Sequence, residues 1–169
     1  MIDTTAKPLW IRKLLIACMV AGTVGMAGCQ SLKHGLTAEQ IATLKQQGFV
    51  ETSQGWTLDQ SATVFFATND ATLSDVGARS IDGVAKALRG VGLVHLKVVG
   101  YTDSTGTDAY NDTLSKRRAE AVAGEFVNDG FPSDGLETVG MGKRYPVADN
   151  STAQGRAQNR HVAIIVIAD

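Results

Sequence analysis

Residues 100–119, GYTDSTGTDAYNDTLSKRRA, decide the fold of this chain. They follow an apolar run, 93–100, in which Val94, Leu96 and Val98 alternate to one face as in a half-buried strand. Residues 101–107 are polar and contain glycine, the composition of a turn. From about 108 to 128 the period becomes helical, with Asp108 a candidate N-cap and Gly130 with Pro132 as the stop. Leu114, Arg118, Ala121, Val122, Glu125 and Phe126 fall on one stripe at helical spacing, which directs Arg118 inward. An inward guanidinium is costly unless it is paired and hydrogen-bonded. The candidate partner is Asp103, in the turn that feeds the helix. Two readings stay open: a structural Asp103–Arg118 ion pair that fixes the turn, or a clamp bridged by a ligand. The planar fork of arginine matches a carboxylate, and an aspartate accepts from an ammonium. Amides over 104–108, near a helix N-terminus, suit a second carboxylate. The clamp therefore suits a ligand that carries both an amine and carboxylates.

Outward from this stretch, residues 62–67 (ATVFFA) read as a buried strand and 68–70 as a polar turn. A helix follows over about 74–89, with Ile81, Val84, Ala85 and Leu88 on one face. Beyond the central helix, 136–140 is a third strand and 140–155 a loop rich in Gly, Pro, Asn and Asp. Residues 156–159 suggest a helical turn, and 161–168 (HVAIIVIA) are so uniformly apolar that this strand should be central. The order β-α-β-α-β-β predicts an α/β (α+β) two-layer sandwich, with both helices on one face of a mixed sheet. That domain spans 62–169.

The N-terminal third is organised differently. Lys7, Arg12 and Lys13 precede an uncharged run of small and apolar residues, which reads as the core of a signal peptide over 1–28. The run ends in Met26-Ala27-Gly28-Cys29, which resembles the lipobox of bacterial lipoproteins, with Met26 in place of the usual Leu. That resemblance implies cleavage before Cys29 and its acylation. Several acyl chains anchor durably, because each buried methylene contributes about 0.8 kcal/mol. Gln30, rather than Asp, after the cysteine points to the outer membrane, and 29–35 form a lipidated tether. Residues 36–61 form an extension: a short helix over 38–47 with a Thr37–Gln40 capping box, then Phe49, Trp56 and Leu58 around a turn at 54–55. Leu44, Phe49 and Trp56 pack on the domain as a lid or form a movable, partner-facing patch.

The totals exclude several classes. A net charge of −1 offers no basic footprint for nucleic acid. The two cysteines, Cys18 and Cys29, form no disulfide framework or metal motif, and His34, His95 and His161 lack ligand spacing. Asp103 and Arg118 make a charge clamp but no acid–base pair, so a non-enzymatic binding protein without metal or cofactor is expected.

Residues 100–122 resemble the peptidoglycan-binding signature of the OmpA-like C-terminal domain family, and GRAQNRHVAIIV, from Gly155, resembles its second signature. The resemblance runs from about 62 to 167. It implies that Asp103 and Arg118 grip the meso-diaminopimelate of the peptidoglycan stem peptide. It further implies that Asn111 fixes the ligand or its loop, that Gly106 is the turn glycine, that Thr105 belongs to the peptidoglycan-binding residues, and that Asn69 lies on the rim. Tyr101 stands where the family usually has His, Ala67 where it often has Asp, and His161 where it has Arg. Asn159 and Arg160 are retained and read as structural, tying the last strand to its loop. The extension, with GLTAEQIATLKQQGF, Gly55-Trp56 and PVADN, is similar to the YfiB family of outer-membrane lipoproteins. This implies capture of a small periplasmic repressor of the YfiR type, which frees an inner-membrane diguanylate cyclase. The same resemblance admits a homodimer formed through the N-terminal segment. The alternative is a plain Pal- or OmpA-type tether between membrane and wall.

Overall fold

The computed structural model describes residues 35–67 and 70–167. The expected signal peptide, Cys29 and Asn69 lie outside the described residues. The first helix, α1 (Ala38–Gln46), begins with the predicted capping box. Thr37 Oγ1 accepts from the Gln40 amide at 3.1 Å, and Gln40 Oε1 accepts from the Thr37 amide at 2.8 Å. Gly48, at φ 86°, turns the chain out of α1. A tight hairpin follows, β1 (Val50–Thr52) and β2 (Gly55–Ser61), with Thr52 opposite Gly55.

The strand expected over 62–67 is instead one helical turn, α2 (Ala62–Phe65). The strand that pairs with the last strand (His161–Val166) is supplied earlier, by β2, and β1 forms the sheet edge beyond it. Two local causes turn the chain here. Ser61 Oγ caps the Thr63 amide, and the Phe66 amide closes onto the Ala62 carbonyl at 2.8 Å. A strand would also send Phe65 and Phe66 to opposite faces of the sheet. The helical turn lets both enter one core, where they are 1% and 4% exposed.

The rest follows the predicted order: α3 (Asp75–Gly90), β3 (Leu96–Tyr101), α4 (Asp108–Asn128), β4 (Leu136–Gly142), α5 (Ala153–Asn159) and β5 (His161–Val166). Strand β3 starts three residues later than expected. The cap of α4 is Thr107, whose hydroxyl accepts from the Tyr110 amide, and Asp108 is the first helical residue. The sheet order is β1-β2-β5-β3-β4. Strands β3 and β4 run parallel, and every other neighbouring pair is antiparallel. The all-apolar β5 is the middle strand and is buried along its whole length.

The main core lies between the sheet and helices α1, α3 and α4. Leu58, Leu96, Val98, Val162 and Ile164 face Ile81, Leu88, Val122 and Phe126. A smaller cluster, Val99, Ala163 and Ile165, lies on the other face. Helix α4 lies unusually close to β3 and β4. A Cβ on Gly100 would meet the Ser115 carbonyl oxygen at 2.1 Å, and one on Gly140 would meet the Lys116 amide at 2.6 Å. The buried stripe of α4 is accordingly turned toward small residues: Ser115, Ala119 and Ala123 join Asn111, Arg118, Val122 and Phe126. Glu125 and Ala121 sit at its margin, only half-buried.

Candidate functional site

The C-terminal ends of β3 and β4 and the start of β5 meet above the helix layer. The antiparallel register places Gly100 opposite Val162. Residues just after Gly100 therefore face residues just before Val162. The first consequence is that Tyr101 and His161, both departures from the family pattern, stack on each other with ring centroids 4.4 Å apart. The second is that Asp103 meets Arg160. Arg160 Nη1 donates to Asp103 Oδ2 at 2.7 Å, while the Thr105 amide donates to Oδ1 at 2.8 Å. Burial works to raise the pKa of the Asp103 carboxyl, but these two donors hold it below its ordinary value.

The direct Asp103–Arg118 ion pair, the structural alternative left open by the sequence, does not form. Arg118 is 3% exposed. Its Nε donates to the Asp70 carbonyl at 3.0 Å, and its guanidinium lies 5.3 Å from the centre of the Phe66 ring. Its Nη1 is buried without a hydrogen-bond partner among the described residues. Burial lowers the pKa of this guanidinium, and nearby Arg160 lowers it further while Tyr110, Asp103 and Asp70 work against this. A buried donor left unpaired costs free energy, which a ligand acceptor would recover.

Arg118, Asp103 and Arg160 line a single cavity of about 610 Å³, floored by Phe66 and Ala67 and walled by Tyr110 and Leu114. Thr105, Gly106 and Asn111 belong to the same wall. Asn111, 2% exposed, uses its amide nitrogen on the carbonyls of Thr105 (2.8 Å) and Thr107 (3.1 Å), so it braces the turn. Gly106 has φ 90°, which a side chain would strain. Two of the turn amides expected to hold a carboxylate are already engaged: Thr105 with Asp103, and Ser104 with Asn150 Oδ1 at 3.1 Å.

Asn159 does what the sequence suggests. Its Oδ1 accepts from the amides of Val147 and Ala148, and its Nδ2 donates to the Ala148 carbonyl and to Asn150 Oδ1. Arg160, read as structural, belongs to the site itself. The carbonyl of Asp70 and the ring of Phe66 are also participants that the pattern did not reveal. Only the adjacency of Asn159 and Arg160 in the second signature carried a hint.

Leu44 and Phe49 are 0% and 3% exposed and belong to the main core. Trp56 is half-buried against that core, with Lys45 Nζ 5.9 Å from its ring centre. This is the packing of a lid on the domain.

The fold defines a two-layer α/β domain, and its cavity is lined by the Phe66 ring and by side chains of opposed charge. Among the described residues no group of His, Cys, Asp and Glu is placed to hold a metal ion, and no helix is long and apolar enough to cross a membrane. The chain belongs to the OmpA family, whose model matches residues 65–160. It is 41% identical over 159 residues to the outer-membrane lipoprotein YfiB of Pseudomonas aeruginosa, covering 93% of this chain and 95% of that protein. It is 41% identical over 155 residues to the lipoprotein YfiB of Escherichia coli, covering 91% and 97%. Among solved structures, it superposes on the peptidoglycan-associated lipoprotein of Burkholderia pseudomallei with a TM-score of 0.57. That match has 30% identity and covers 62% of this chain and 88% of that one.

Proposed function

We propose that this protein is an outer-membrane lipoprotein, anchored through Cys29, that binds peptidoglycan non-covalently through the meso-diaminopimelate of its stem peptide. The observation that carries this reading is the buried Nη1 of Arg118, without a hydrogen-bond partner among the described residues, in a cavity shared with the Asp103 carboxylate. The Arg118 guanidinium donates to the diaminopimelate carboxylate, and Asp103 accepts from its ammonium, using lone pairs that Arg160 and Thr105 leave free. Asn111, Gly106 and Thr105 hold the turn that presents Asp103. The names and high coverage of the YfiB relatives support the anchor and the location. The Burkholderia neighbour supports wall association.

The reading extends to signalling. The protein captures a periplasmic repressor of the YfiR type and so releases an inner-membrane diguanylate cyclase. Leu44, Phe49 and Trp56 are the switch, which must then leave the core to engage a partner. Their burial equally favours a second reading, a tether of the Pal or OmpA type with a closed N-terminal lid. Co-sedimentation of the detergent-solubilised full chain with purified peptidoglycan tests the binding. Arg118→Ala and Asp103→Ala are expected to abolish it, and unchanged sedimentation of both would remove the clamp. Cellular cyclic di-GMP that does not respond to deletion of the protein favours the tether.

A further inference from the structure

We infer that Arg160 is a second carboxylate-binding group of this cavity, and that the site selects a ligand carrying one ammonium and two carboxylates. This rests on the peptidoglycan reading and sharpens which form of the stem peptide is held. The cavity is lined by three guanidiniums, Arg118, Arg156 and Arg160, against one carboxylate, Asp103. A simple zwitterion brings one charge of each sign and leaves that imbalance in place; a ligand with a second carboxylate reduces it.

The three arginines are not equivalent. Arg156 spends its Nη1 on the carbonyls of Asn150 and Ser151, at 2.9 and 3.1 Å, and so braces the loop before α5. Arg118 holds the first carboxylate. Arg160 engages Asp103 through Nη1 alone, and its side chain remains 31% exposed. The outer edge of its fork is therefore open to the cavity, while Asp103 keeps it in place. Two of the competing donors for a second carboxylate, the amides of Ser104 and Thr105, are already occupied. The ammonium on Asp103 then sits between two guanidiniums, each with its own carboxylate.

A stem peptide that ends at diaminopimelate offers two free carboxylates on that residue. In a stem that continues into D-alanine the inner one is an amide. The neighbouring D-isoglutamate supplies a further carboxylate of the same chemistry, one residue away. Isothermal titration of the full chain in detergent separates these sources with three probes: the tripeptide L-Ala-γ-D-Glu-meso-diaminopimelate, its C-terminal amide, and the same peptide with D-isoglutamine in place of D-isoglutamate. The wild type is expected to bind one of the two amidated peptides about tenfold more weakly than the parent, the effect of one charge-assisted hydrogen bond. The peptide that suffers identifies the carboxylate. Arg160→Gln is expected to reduce that preference to within about twofold. The wild-type preference does not depend on how well the variant folds. Equal binding of all three peptides by the wild type overturns the role of Arg160 and leaves the Arg118 clamp standing, as does a preference that survives Arg160→Gln in a variant with a wild-type melt. Failure of all three to bind, with loss of peptidoglycan sedimentation, brings down both readings.

Discussion

Asp103 and Arg160 lie 57 positions apart in the chain and meet at 2.7 Å in the lining of one cavity. Their pairing follows from one feature of the sheet. Strand β5 is inserted beside β3 in antiparallel register, so the turn leaving β3 and the residue entering β5 share an edge. Arg118 lines the same cavity from α4, and its Nη1 has no hydrogen-bond partner among the described residues. The site thus contains one charge pair that is closed and one guanidinium with a donor unengaged among the described residues.

Arg118→Met should separate binding from stability. The substitution removes a desolvated charge and keeps most of the side-chain volume over Phe66. Replacing a buried charge by a well-packed apolar group is often neutral or stabilising. Peptidoglycan binding should be lost, while the melting temperature stays unchanged or rises by a few degrees. A fall of about 10 °C or more, roughly 2 kcal/mol for a domain of this size, would assign Arg118 a structural role instead.

Asp103 should make acid stability measurable. Its folded-state pKa lies below the ordinary 3.8, despite burial, because Arg160 and the Thr105 amide stabilise the charged form. The pair therefore contributes fully above the unfolded pKa, and the contribution is lost as pH falls through the lower folded value. Asp103→Asn should cost about 1–2 kcal/mol at pH 7, the low end for a charge-assisted bond because Arg160 is partly solvated. The gap between wild type and variant in urea titrations should close progressively below about pH 4. A gap that is constant from pH 7 to pH 2 would show that charge is not the cause.

Glycines under α4 should behave oppositely to a glycine on its outer face. Gly100→Ala and Gly140→Ala drive a methyl group into the helix backbone. Each should cost more than the usual 1–3 kcal/mol of overpacking and should weaken ligand binding by lifting Arg118. Gly124 is exposed, within the same helix, and a Cβ there meets nothing within 4 Å. Gly124→Ala should stabilise by about 0.5–1 kcal/mol. Chemical denaturation of the three variants decides this.

Thr37→Ala tests whether the N-terminal segment opens independently of the domain. It removes the hydroxyl that caps α1 without touching the core, at a cost of about 1 kcal/mol. Hydrogen exchange should accelerate about fivefold in α1 and leave α4 and β5 unchanged. If the segment is a switch, repressor capture and cyclic di-GMP should rise in the same variant. Uniform acceleration across the domain would mean that α1 opens only with global unfolding.

Much was legible without the fold, and the misses have physical causes. The capping box of α1, the buried face of α3, the length of α4 and the central place of β5 follow from local periodicity and caps, which depend on residues a few positions apart. The strand beside β5 is misplaced by the sequence reading because β2, GWTLDQS, is largely polar, while the adjacent ATVFFA is apolar enough to pass for a strand. Tertiary packing chose the helical turn because only that conformation buries Phe65 and Phe66 together. The sequence by itself determined the family, the apolar layers and the two charges of the clamp. The tertiary structure alone decided that Asp103 closes on Arg160 and that Arg118 keeps a donor unengaged among the described residues. Which charges meet across 57 residues is set by strand insertion and helix depth, and no local pattern records either.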